Sequence, residues 1–514
     1  MKRRNFLNSA AASPASFTIL PRHVLGRGYV APSDKVALAH IGCGTEGTRE
    51  LLTGLLQNEE IQIVAVCDPV KDGTNYLDWS RDGTRNLIRK ILDEPNYDRN
   101  TNRVRAGRDQ FQYVVARYYA KTRGLENYKV PSYADFRELL DKEPGIDAVK
   151  IVTPDFSHAA IAIAAMNKGR HIALHKPLAN RMNEARLVIE TARQTKVQTH
   201  LLSWGMARDT EKLVARLKDG VIGPVRELHV WTNSPVWPVY TELPKHSPPV
   251  PEGFDWQLWL GPERDRPYHP CYTHMVFRSW YDFGGGCMAD GALYTLWPLF
   301  VAMDLGPPVS ARAFGSHACN VVDSVANPVP NDFAFPAAST CHFKFAAHGG
   351  WPELSLFWYE GGMRPRIPEL EEDDAPLPLS GSMWIGDKGK IISNRVYTSK
   401  GIEPLFPEDT PSKPAAPKTG TPTSQQTSFA RGEALWVQAI KGGPPSPGNI
   451  LSAGPISETV CLHAVALRAA RQKSGVRVYP SAVKLHYDSA SMRITNLAEA
   501  NKYLTRDYRP GWEL

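Results

Sequence analysis

The stretch KVALAHIGCGTEG, residues 35–47, decides the fold of the N-terminal half of the chain. Its apolar first part is typical of a buried parallel strand, and it runs directly into the spacing G-x-G-x-x-G ahead of a leucine-rich helical segment. Glycines between a strand and a helix permit a tight turn and let a pyrophosphate approach the helix N-terminus, whose free N–H groups favour an anion. The stretch therefore predicts a dinucleotide site lined by Gly42, Gly44, Thr45, Glu46 and Gly47.

A second apolar run, Ile61 to Cys67, ends at Asp68, 21 residues beyond Gly47. A carboxylate at this point accepts hydrogen bonds from the adenosine ribose and repels a 2′-phosphate. The sequence therefore predicts NAD rather than NADP as the bound dinucleotide.

Strand and helix patterns alternate as far as residue 203. Strands are predicted at 146–152, 171–175 and 197–202, with helices at 156–168 and 182–194 between them. This alternation predicts a doubly wound parallel sheet with right-handed crossovers, which binds ligands at the carboxyl ends of its strands. Thr153-Pro154 and His175-Lys176-Pro177 lie at such ends, and Lys176 is the candidate proton-transfer group.

The segment from about residue 72 to 127 interrupts this alternation. It is basic, and its apolar residues at helical spacing predict one helix through residues 87–92 and another through 111–118. Two interpretations stay open: the insertion covers the cofactor or contacts another subunit, or it is a solvated decoration.

Four stretches together resemble one known family. They are AHIGCGTEG (39–47), VAVCDP (64–69), VKIVTPDFSHAAIAIAAMNKGRHIALHKPLA (149–179) and WYDFGGGCMADGALYTL (280–296). On these residues the chain from about Ser33 onward resembles the glucose–fructose oxidoreductase, inositol dehydrogenase and rhizopine catabolism (Gfo/Idh/MocA) family.

The resemblance implies a Rossmann domain followed by an α+β domain with a large open antiparallel sheet. It also implies a sugar-like substrate held between that sheet and the nicotinamide, and it makes Lys176 the catalytic lysine. The cofactor site would further include Thr153, Pro154, His158, His175 and Lys176.

Two positions depart from the family's pattern. The family has a glutamate where His175 precedes the lysine, and an Asp-x-x-x-His pair where this chain has Asp290 and Tyr294. A tyrosine also occurs there in the exported, sugar-oxidising branch of the family, so that change is compatible with redox chemistry. The missing glutamate should lower the pKa of Lys176 relative to relatives, unless His175 is neutral packing; both interpretations stay open.

The segment from Phe254 to Asp290 is rich in aromatic, arginine and histidine side chains. Flat apolar faces stack on sugar rings, and polar tips satisfy hydroxyl groups. The predicted substrate-binding residues are Tyr268, His269, Arg278, Trp280 and Asp290. An aromatic core with surface histidines is the alternative for each residue taken singly.

Asp290 and Tyr294 are four residues apart, so on a helix they share one face. With Lys176 they form the predicted catalytic set. A metal held by His269, His274 and Asp290 is the alternative, but their spacing fits no standard ligand pattern, and we expect no metal.

Beyond Gly306, alternating segments predict antiparallel strands at 309–314, 334–345, 353–359 and 383–392, followed by a last helix at 456–471. The tail YRPGW (508–512) has the aromatic and arginine content of a chain end that packs against a protein surface, for which a subunit contact is one interpretation. These elements complete a second domain, residues 204–514, after the Rossmann domain at 33–203.

Length and composition exclude several classes of protein. The chain has 514 residues, 42% hydrophobic and 22% charged, which favours two or more soluble domains. The net charge of +7 is spread along the chain and does not indicate a nucleic-acid partner. The seven cysteines form no C-x-x-C pair, and no run approaches the roughly 18 apolar residues of a membrane span.

The first 32 residues resemble a twin-arginine export signal. Arg3-Arg4-Asn5-Phe6-Leu7 precedes a weakly apolar Ala/Ser-rich run. We therefore expect a periplasmic or otherwise exported protein, with NAD loaded before export and held tightly.

The leading hypothesis is an NAD-dependent oxidoreductase acting on a secondary hydroxyl of a sugar, polyol or glycoside, as a homo-oligomer. The alternative is a glycoside lyase or hydrolase that works through a transient 3-keto sugar with no net redox change. A catalytically silent sugar-binding protein is a third reading, for which His175 is the only support.

Overall fold

The computed structural model describes residues 34–99, 103–201, 210–234, 237–329, 331–371, 378–407, 424–474, 477–480 and 482–514. The predicted export signal and the predicted domain boundary after residue 203 lie outside the described residues.

Strands are numbered in chain order. They are β1 (Val36–Ile41), β2 (Ile61–Cys67), β3 (Gly73–Tyr76), β4 (Val104–Ala106), β5 (Ser132–Tyr133), β6 (Ala148–Ile151), β7 (His171–Leu174), β8 (Thr199–Leu201), β9 (Val225–Trp231), β10 (Ser310–Gly315), β11 (Cys319–Val322), β12 (Val325–Pro328), β13 (Ser339–Phe345), β14 (Leu354–Glu360), β15 (Gly381–Gly386), β16 (Gly389–Ile392), β17 (Arg395–Thr398), β18 (Gly401–Pro404), β19 (Arg471–Ser474), β20 (Arg477–Pro480), β21 (Leu485–Asp488) and β22 (Arg493–Ile494).

The α-helices are α1 (Thr45–Glu50), α2 (Gly83–Leu92), α3 (Arg108–Arg123), α4 (Phe136–Lys142), α5 (His158–Asn167), α6 (Met182–Thr195), α7 (Thr210–Lys218), α8 (Trp256–Leu260), α9 (Gly286–Met303), α10 (Pro368–Glu371), α11 (Ser424–Ile440), α12 (Ile450–Ala453) and α13 (Pro455–Ala469). A π-helical turn, Leu51–Leu55, continues α1, and short 3₁₀ helices cover Asp155–Ser157, Pro270–Tyr272, His274–Ser279 and Ala498–Tyr503.

The N-terminal sheet confirms the predicted doubly wound fold. Its six strands are all parallel, in the order β5-β2-β1-β6-β7-β8. The chain order reverses between β1 and β6, the place where ligands bind in such sheets. The ends of β1, β2, β6 and β7 therefore converge on one edge.

The insertion contains both predicted helices, as α2 and α3. Phe111, Val114 and Val115 of α3 are fully buried in a core shared with β1 and β2. Since α3 lies between the parallel neighbours β2 and β5, it is the crossover helix of the sheet itself rather than a decoration. The added elements are β3, α2 and β4.

The C-terminal domain contains a ten-stranded sheet, in the order β18-β17-β16-β15-β9-β14-β13-β10-β21-β22. All neighbouring pairs are antiparallel except β9 and β14, so the predicted antiparallel sheet is mixed at this one pair. The predicted strand at 383–392 is a hairpin, because Asp387-Lys388 turns the chain between β15 and β16. The segment predicted at 334–345 forms a strand only from Ser339.

Helix α13 lies in the core between the two domains. Within the described ranges, Ile450–Ala469 is the one helical stretch long and apolar enough to cross a membrane by length and composition. Because 72% of that window is buried inside the protein, the stretch has the character of a core helix.

Candidate functional site

A cavity of about 540 Å³ opens at the carboxyl edge of the parallel sheet. Thirteen predicted site residues line it: Gly42, Gly44, Thr45, Glu46, Gly47, Asp68, Thr153, Pro154, His175, Lys176, Arg278, Asp290 and Tyr294. The structure therefore brings the predicted dinucleotide edge and the predicted catalytic set to one place.

The glycine turn has the backbone that its sequence predicts. Gly42 has φ of +103°, and a Cβ there would collide with the carbonyl oxygen of Val152 at the end of β6. A Cβ on Gly47 would collide with the Gly42 carbonyl oxygen. These glycines let β1, α1 and β6 meet closely beneath the cavity.

Asp68 closes one end of the cavity, after β2. Its carboxylate accepts hydrogen bonds from the Cys43 N–H at 2.6 Å and the Val70 N–H at 2.8 Å. Burial raises the pKa of Asp68 to about 6, against the lowering effect of these two N–H groups. The donor set fits a dinucleotide: a carboxylate for the ribose, a glycine turn at a helix N-terminus for the phosphates, and apolar walls.

The insertion covers this part of the cavity. The hydroxyl of Thr45 donates to the carbonyl oxygen of Leu77 at 2.7 Å, and Tyr76, Leu77 and Trp79 line the cavity. Of the two open interpretations, the structure favours a cover over a decoration.

Lys176 lies two residues beyond β7, and the Lys176–Pro177 peptide is cis. Its ammonium donates to the Asp290 carboxylate (Oδ1) and to the Asp290 carbonyl oxygen, both at 2.6 Å. It also lies 4.9 Å from the centre of the Tyr294 ring. Burial lowers the pKa of Lys176, but Asp290 and Tyr294 outweigh it, so the pKa stands above its usual value.

Asp290 is the electrostatic centre of the site. Its Oδ1 is shared by Lys176 and by Arg278, whose Nε lies 3.2 Å away. Burial alone would raise the pKa of Asp290, but the two cations bring it down to about 2. Burial raises the pKa of Tyr294 to about 12, so its phenol keeps its proton. Around Asp290, Lys176 and Arg278 are the cations, and Tyr294 supplies a hydroxyl donor.

Two loops hold this arrangement in register across the domain boundary. After β7, the Asn180 amide donates to the Asp282 carbonyl oxygen at 2.8 Å, and the Arg181 guanidinium donates to the Tyr281 carbonyl oxygen at 2.8 Å. Asp155 accepts from the Gly285 N–H at 3.0 Å, which fixes the start of α9. The relative position of Lys176 and Asp290 therefore depends on both domains.

His158 does not line the cavity. It is fully buried, and its two ring nitrogens lie 2.7 Å from the carbonyl oxygens of Pro177 and Thr153. It joins the loops after β6 and β7, so it shapes the cofactor edge from behind, whereas the resemblance implied that it would line the cofactor.

Three predicted substrate-binding residues also lie outside the cavity wall. Tyr268 and Trp280 are buried in an aromatic cluster with Phe254, Trp256 and Phe283, because rings this large are stabilised most by packing on one another. The ring nitrogen of His269 accepts from the Cys271 N–H. The alternative of an aromatic core applies to these positions, and Arg278 and Asp290 alone of the five line the cavity.

The structure does not support the alternative metal site. The Nε2 atom of His274 lies 3.1 Å from the Asn75 side-chain oxygen, and His269 caps its own turn. In the part of the chain that is described, no group of three or more His, Cys, Asp or Glu side chains is placed to hold a metal ion.

Two residues of the cavity wall, Glu50 and Trp512, were not predicted from the sequence. Nδ1 of His175 lies 2.7 Å from Oε1 of Glu50. A carboxylate therefore stands beside the histidine that replaces the family's glutamate. Trp512 lines the cavity from the tail, with the Arg137 guanidinium 4.3 Å above its ring. The tail's aromatic composition indicated docking, and it docks within its own chain; nothing local distinguished Glu50.

Two family models match the chain. One, described as an oxidoreductase family with an NAD-binding Rossmann fold, matches residues 89–202. The other, the C-terminal alpha/beta domain of the same oxidoreductase family, matches residues 225–312. These matches confirm the predicted NAD-binding domain and the order of the two domains.

Individual relatives match over shorter parts. A levoglucosan dehydrogenase from Pseudarthrobacter phenanthrenivorans is 31% identical over 127 residues, covering 23% of this chain and 31% of that protein. A glycosyl hydrolase family 109 protein from Solibacter usitatus is 26% identical over 165 residues, covering 32% and 29%. The matches thus span about a third of the length of these curated relatives.

Among solved structures, the WlbA dehydrogenase from Bordetella pertussis, in complex with NADH and UDP-GlcNAcA, resembles the fold. It superposes with a TM-score of 0.50 at 13% identity, covering 85% of this chain and 97% of that one. The likeness concerns the fold alone.

Proposed function

Because this chain belongs to the Gfo/Idh/MocA family of oxidoreductases, whose first domain binds NAD, we propose that it oxidises a secondary hydroxyl of a sugar, polyol or glycoside. The observation that carries the proposal is the pairing of Lys176 with Asp290 at 2.6 Å, on the wall of a cavity that also holds the glycine turn and Asp68. Proton transfer and dinucleotide binding then share one site.

The glycine turn would hold the pyrophosphate of NAD and Asp68 the adenosine ribose, with Thr153, Pro154 and His175 along the remaining edge. When bound, the nicotinamide accepts the hydride from the alcohol carbon. The cover formed by Tyr76, Leu77 and Trp79 limits solvent access and supports tight retention of the cofactor.

Lys176 donates or accepts the proton of the substrate hydroxyl, depending on the direction of the reaction. In the direction of ketone reduction its ammonium is ready to donate, since Asp290 keeps it charged. In the direction of oxidation it must first lose its proton and then accept one from the substrate hydroxyl. Asp290 and Arg278 orient the substrate, and the Tyr294 phenol supplies a further donor; positioned proton transfer of this kind contributes roughly 10²–10⁴ in rate.

A second candidate is glycoside cleavage with no net redox change, which is favoured by the match to a glycosyl hydrolase family 109 protein. Oxidation at C3 of the sugar acidifies the C2 hydrogen, so a base can remove that proton while the C1 substituent departs. Water would then add across C1 and C2, and return of the hydride to C3 would leave no net redox change. The same residues serve both schemes.

One experiment tests both schemes. The purified protein is examined for bound nicotinamide absorbance and then incubated with free sugars, polyols and aryl glycosides. Formation of NADH or of oxidised sugar supports the dehydrogenase, and aglycone release without net NADH supports the cleavage scheme. Absence of NAD binding together with absence of turnover would leave the silent sugar-binding protein.

We further propose that the protein is exported already folded, with NAD in place. Arg3-Arg4-Asn5-Phe6-Leu7 supports this, since twin-arginine signals serve folded cargo. The protein should appear in the periplasmic fraction of a bacterial host, and the double change Arg3→Lys and Arg4→Lys should retain it in the cytoplasm. Equal export of both forms would contradict the proposal.

A further inference from the structure

A buried cluster of charges extends inward from the cavity wall, formed by Glu50 of α1, which lines the cavity, Lys150 of β6 and Glu433 of α11. The Lys150 ammonium is 2.7 Å from Glu50 Oε2 and 2.8 Å from Glu433 Oε1. The three side chains of this β6 charge cluster are 0–2% exposed. Gly54 makes room for it, because a Cβ there would collide with the Glu433 carboxylate.

The β6 charge cluster has one cation for two carboxylates, and its protonation follows from that imbalance. Burial raises the pKa of Glu433 to about 7, so this residue carries the spare proton below about pH 7. Burial also raises the pKa of Glu50, against which the Lys150 ammonium acts. The nearby His40 and His200 add no charge, because burial lowers the pKa of each well below 6.5. The Lys150 ammonium, 2.7 Å from Glu50 Oε2, therefore favours the ionised form of Glu50.

The second carboxylate oxygen of Glu50 faces His175, the residue before Lys176. Its Oε1 lies 2.7 Å from Nδ1 of His175. An ionised carboxylate can only accept a hydrogen bond, so the proton of the imidazole must be on Nδ1. Burial and the neighbouring Lys176 lower the pKa of His175, so the ring is neutral and its Nε2 carries a bare lone pair.

We propose that Glu50, held ionised by Lys150, is a positioning residue that fixes His175 as the Nδ1–H tautomer, and so presents a hydrogen-bond acceptor at the cavity wall beside Lys176. This inference rests on the proposed function for its catalytic meaning. The acceptor suits an N–H or O–H donor, either a hydroxyl of the sugar or the amide of the nicotinamide. A second ammonium-like charge next to Lys176 is avoided, and the carboxylate that the local sequence lacks acts through the imidazole.

The tautomer can be read directly from the full-length protein. In protein labelled with ¹⁵N-histidine, two-bond N–H correlations distinguish Nδ1–H, Nε2–H and imidazolium rings, and a His175→Gln spectrum identifies the signal. We expect Nδ1–H in the wild type. We expect Nε2–H to become populated in the double variant Glu50→Leu/Lys150→Met, which removes the acceptor together with its cation and leaves the buried Glu433 to bind a proton. An Nε2–H or imidazolium signal for wild-type His175 would overturn the proposal.

A second test compares the kinetics of the wild type with those of three variants: His175→Ala, Glu50→Leu/Lys150→Met, and their combination. Loss of one positioned hydrogen bond should cost about tenfold in kcat/KM or in NAD affinity. The combination should be no worse than His175→Ala alone, since Glu50 would act only through that ring. Additive losses would indicate a merely structural role and overturn the proposal.

The two possible donors separate in the same data. A rise in KM for the sugar at constant NAD affinity identifies the substrate hydroxyl, and a rise in the Kd for NAD identifies the nicotinamide amide; either supports the proposal. If the double variant fails to fold, Glu50→Gln takes its place, since Glu433 still balances Lys150, and loss of the exclusive Nδ1–H signal is expected. A wild type without turnover would remove the proposed function, while the tautomer measurement would still decide the role of Glu50.

Discussion

Two buried lysines, Lys150 of β6 and Lys176 just after the neighbouring strand β7, differ in their position relative to the cavity. Their side chains are 0% and 2% exposed, and each donates to a carboxylate at 2.6–2.8 Å. The carboxylates around Lys150 are only 1% and 2% exposed, although Glu50 borders the cavity, whereas Asp290, the partner of Lys176, is 21% exposed there. Lys176 itself lines the cavity, and Lys150 is not among the lining residues. Burial and an ion pair therefore do not by themselves identify a reactive lysine; its own place on the cavity wall does.

The difference is also one of electrostatic freedom. Lys150 stands between two carboxylates, and burial together with those carboxylates leaves its pKa above the usual value. Lys176 has a single carboxylate that it shares with Arg278, so a bound hydroxyl can compete for that carboxylate. The first lysine is held as a fixed charge and the second can exchange a proton.

The largest effect should come from removing the reactive lysine. Lys176→Met should reduce turnover by about 10²–10⁴-fold, because positioned proton transfer is lost, while NAD binding and thermal stability change little. The measurement is kcat at saturating NAD and sugar, with Lys168→Met at an exposed position as the control. Turnover within threefold of the wild type would remove Lys176 from the mechanism.

The corresponding change at the other lysine should act on stability. Lys150→Met leaves two buried carboxylates without their cation, and breaking a buried pair in this way costs about 3–5 kcal/mol in the free energy of unfolding. Denaturant unfolding measures it, with Lys142→Met in an exposed pair as the control. An unchanged free energy of unfolding would mean that Glu50 and Glu433 are both protonated in the native state.

Asp290→Asn should change the pH dependence of oxidation. Oxidation needs neutral Lys176, so its rate rises with pH through the lysine pKa, which Asp290 raises. Without that carboxylate the lysine loses its proton at lower pH, and the midpoint of the rate profile should fall by about 1 unit or more. Asp304→Asn, at the far end of α9, is the control, and an unmoved midpoint would show that another group titrates.

The smallest effect concerns the pH dependence of stability. The pKa of Glu433 is raised by burial to about 7 in the folded protein, above the usual 4.5. Its contribution to stability is therefore complete below about pH 4.5 and is lost as pH rises through about 7. Glu433→Gln should flatten the fall in melting temperature across this window, and the exposed Glu59→Gln should not. An identical fall in wild type and Glu433→Gln would assign the spare proton elsewhere.

The local sequence predicted the parallel sheet, the glycine turn and the helix that carries Asp290 and Tyr294. Each has a short-range cause: apolar runs, glycines that a Cβ would block, and a spacing of four on a helix. The predicted strand boundaries were wrong where a turn has no strong sequence signal, as at Asp387-Lys388 between β15 and β16. The aromatic segment was ambiguous, because Tyr268 and Trp280 have the same composition whether they bind a sugar or pack together.

The sequence by itself determined the dinucleotide-binding edge and the identity of the candidate lysine, because strand ends and glycine turns are encoded by neighbouring residues. Only the tertiary structure decided the partners of the two lysines. Glu50 lies 100 residues before Lys150 and Glu433 lies 283 after it, while Asp290 lies 114 after Lys176. Glu50 and Lys150 meet when the N-terminal domain folds, whereas the contacts of Glu433 and Asp290 need both domains, because a buried ion requires a counter-ion that no local pattern supplies.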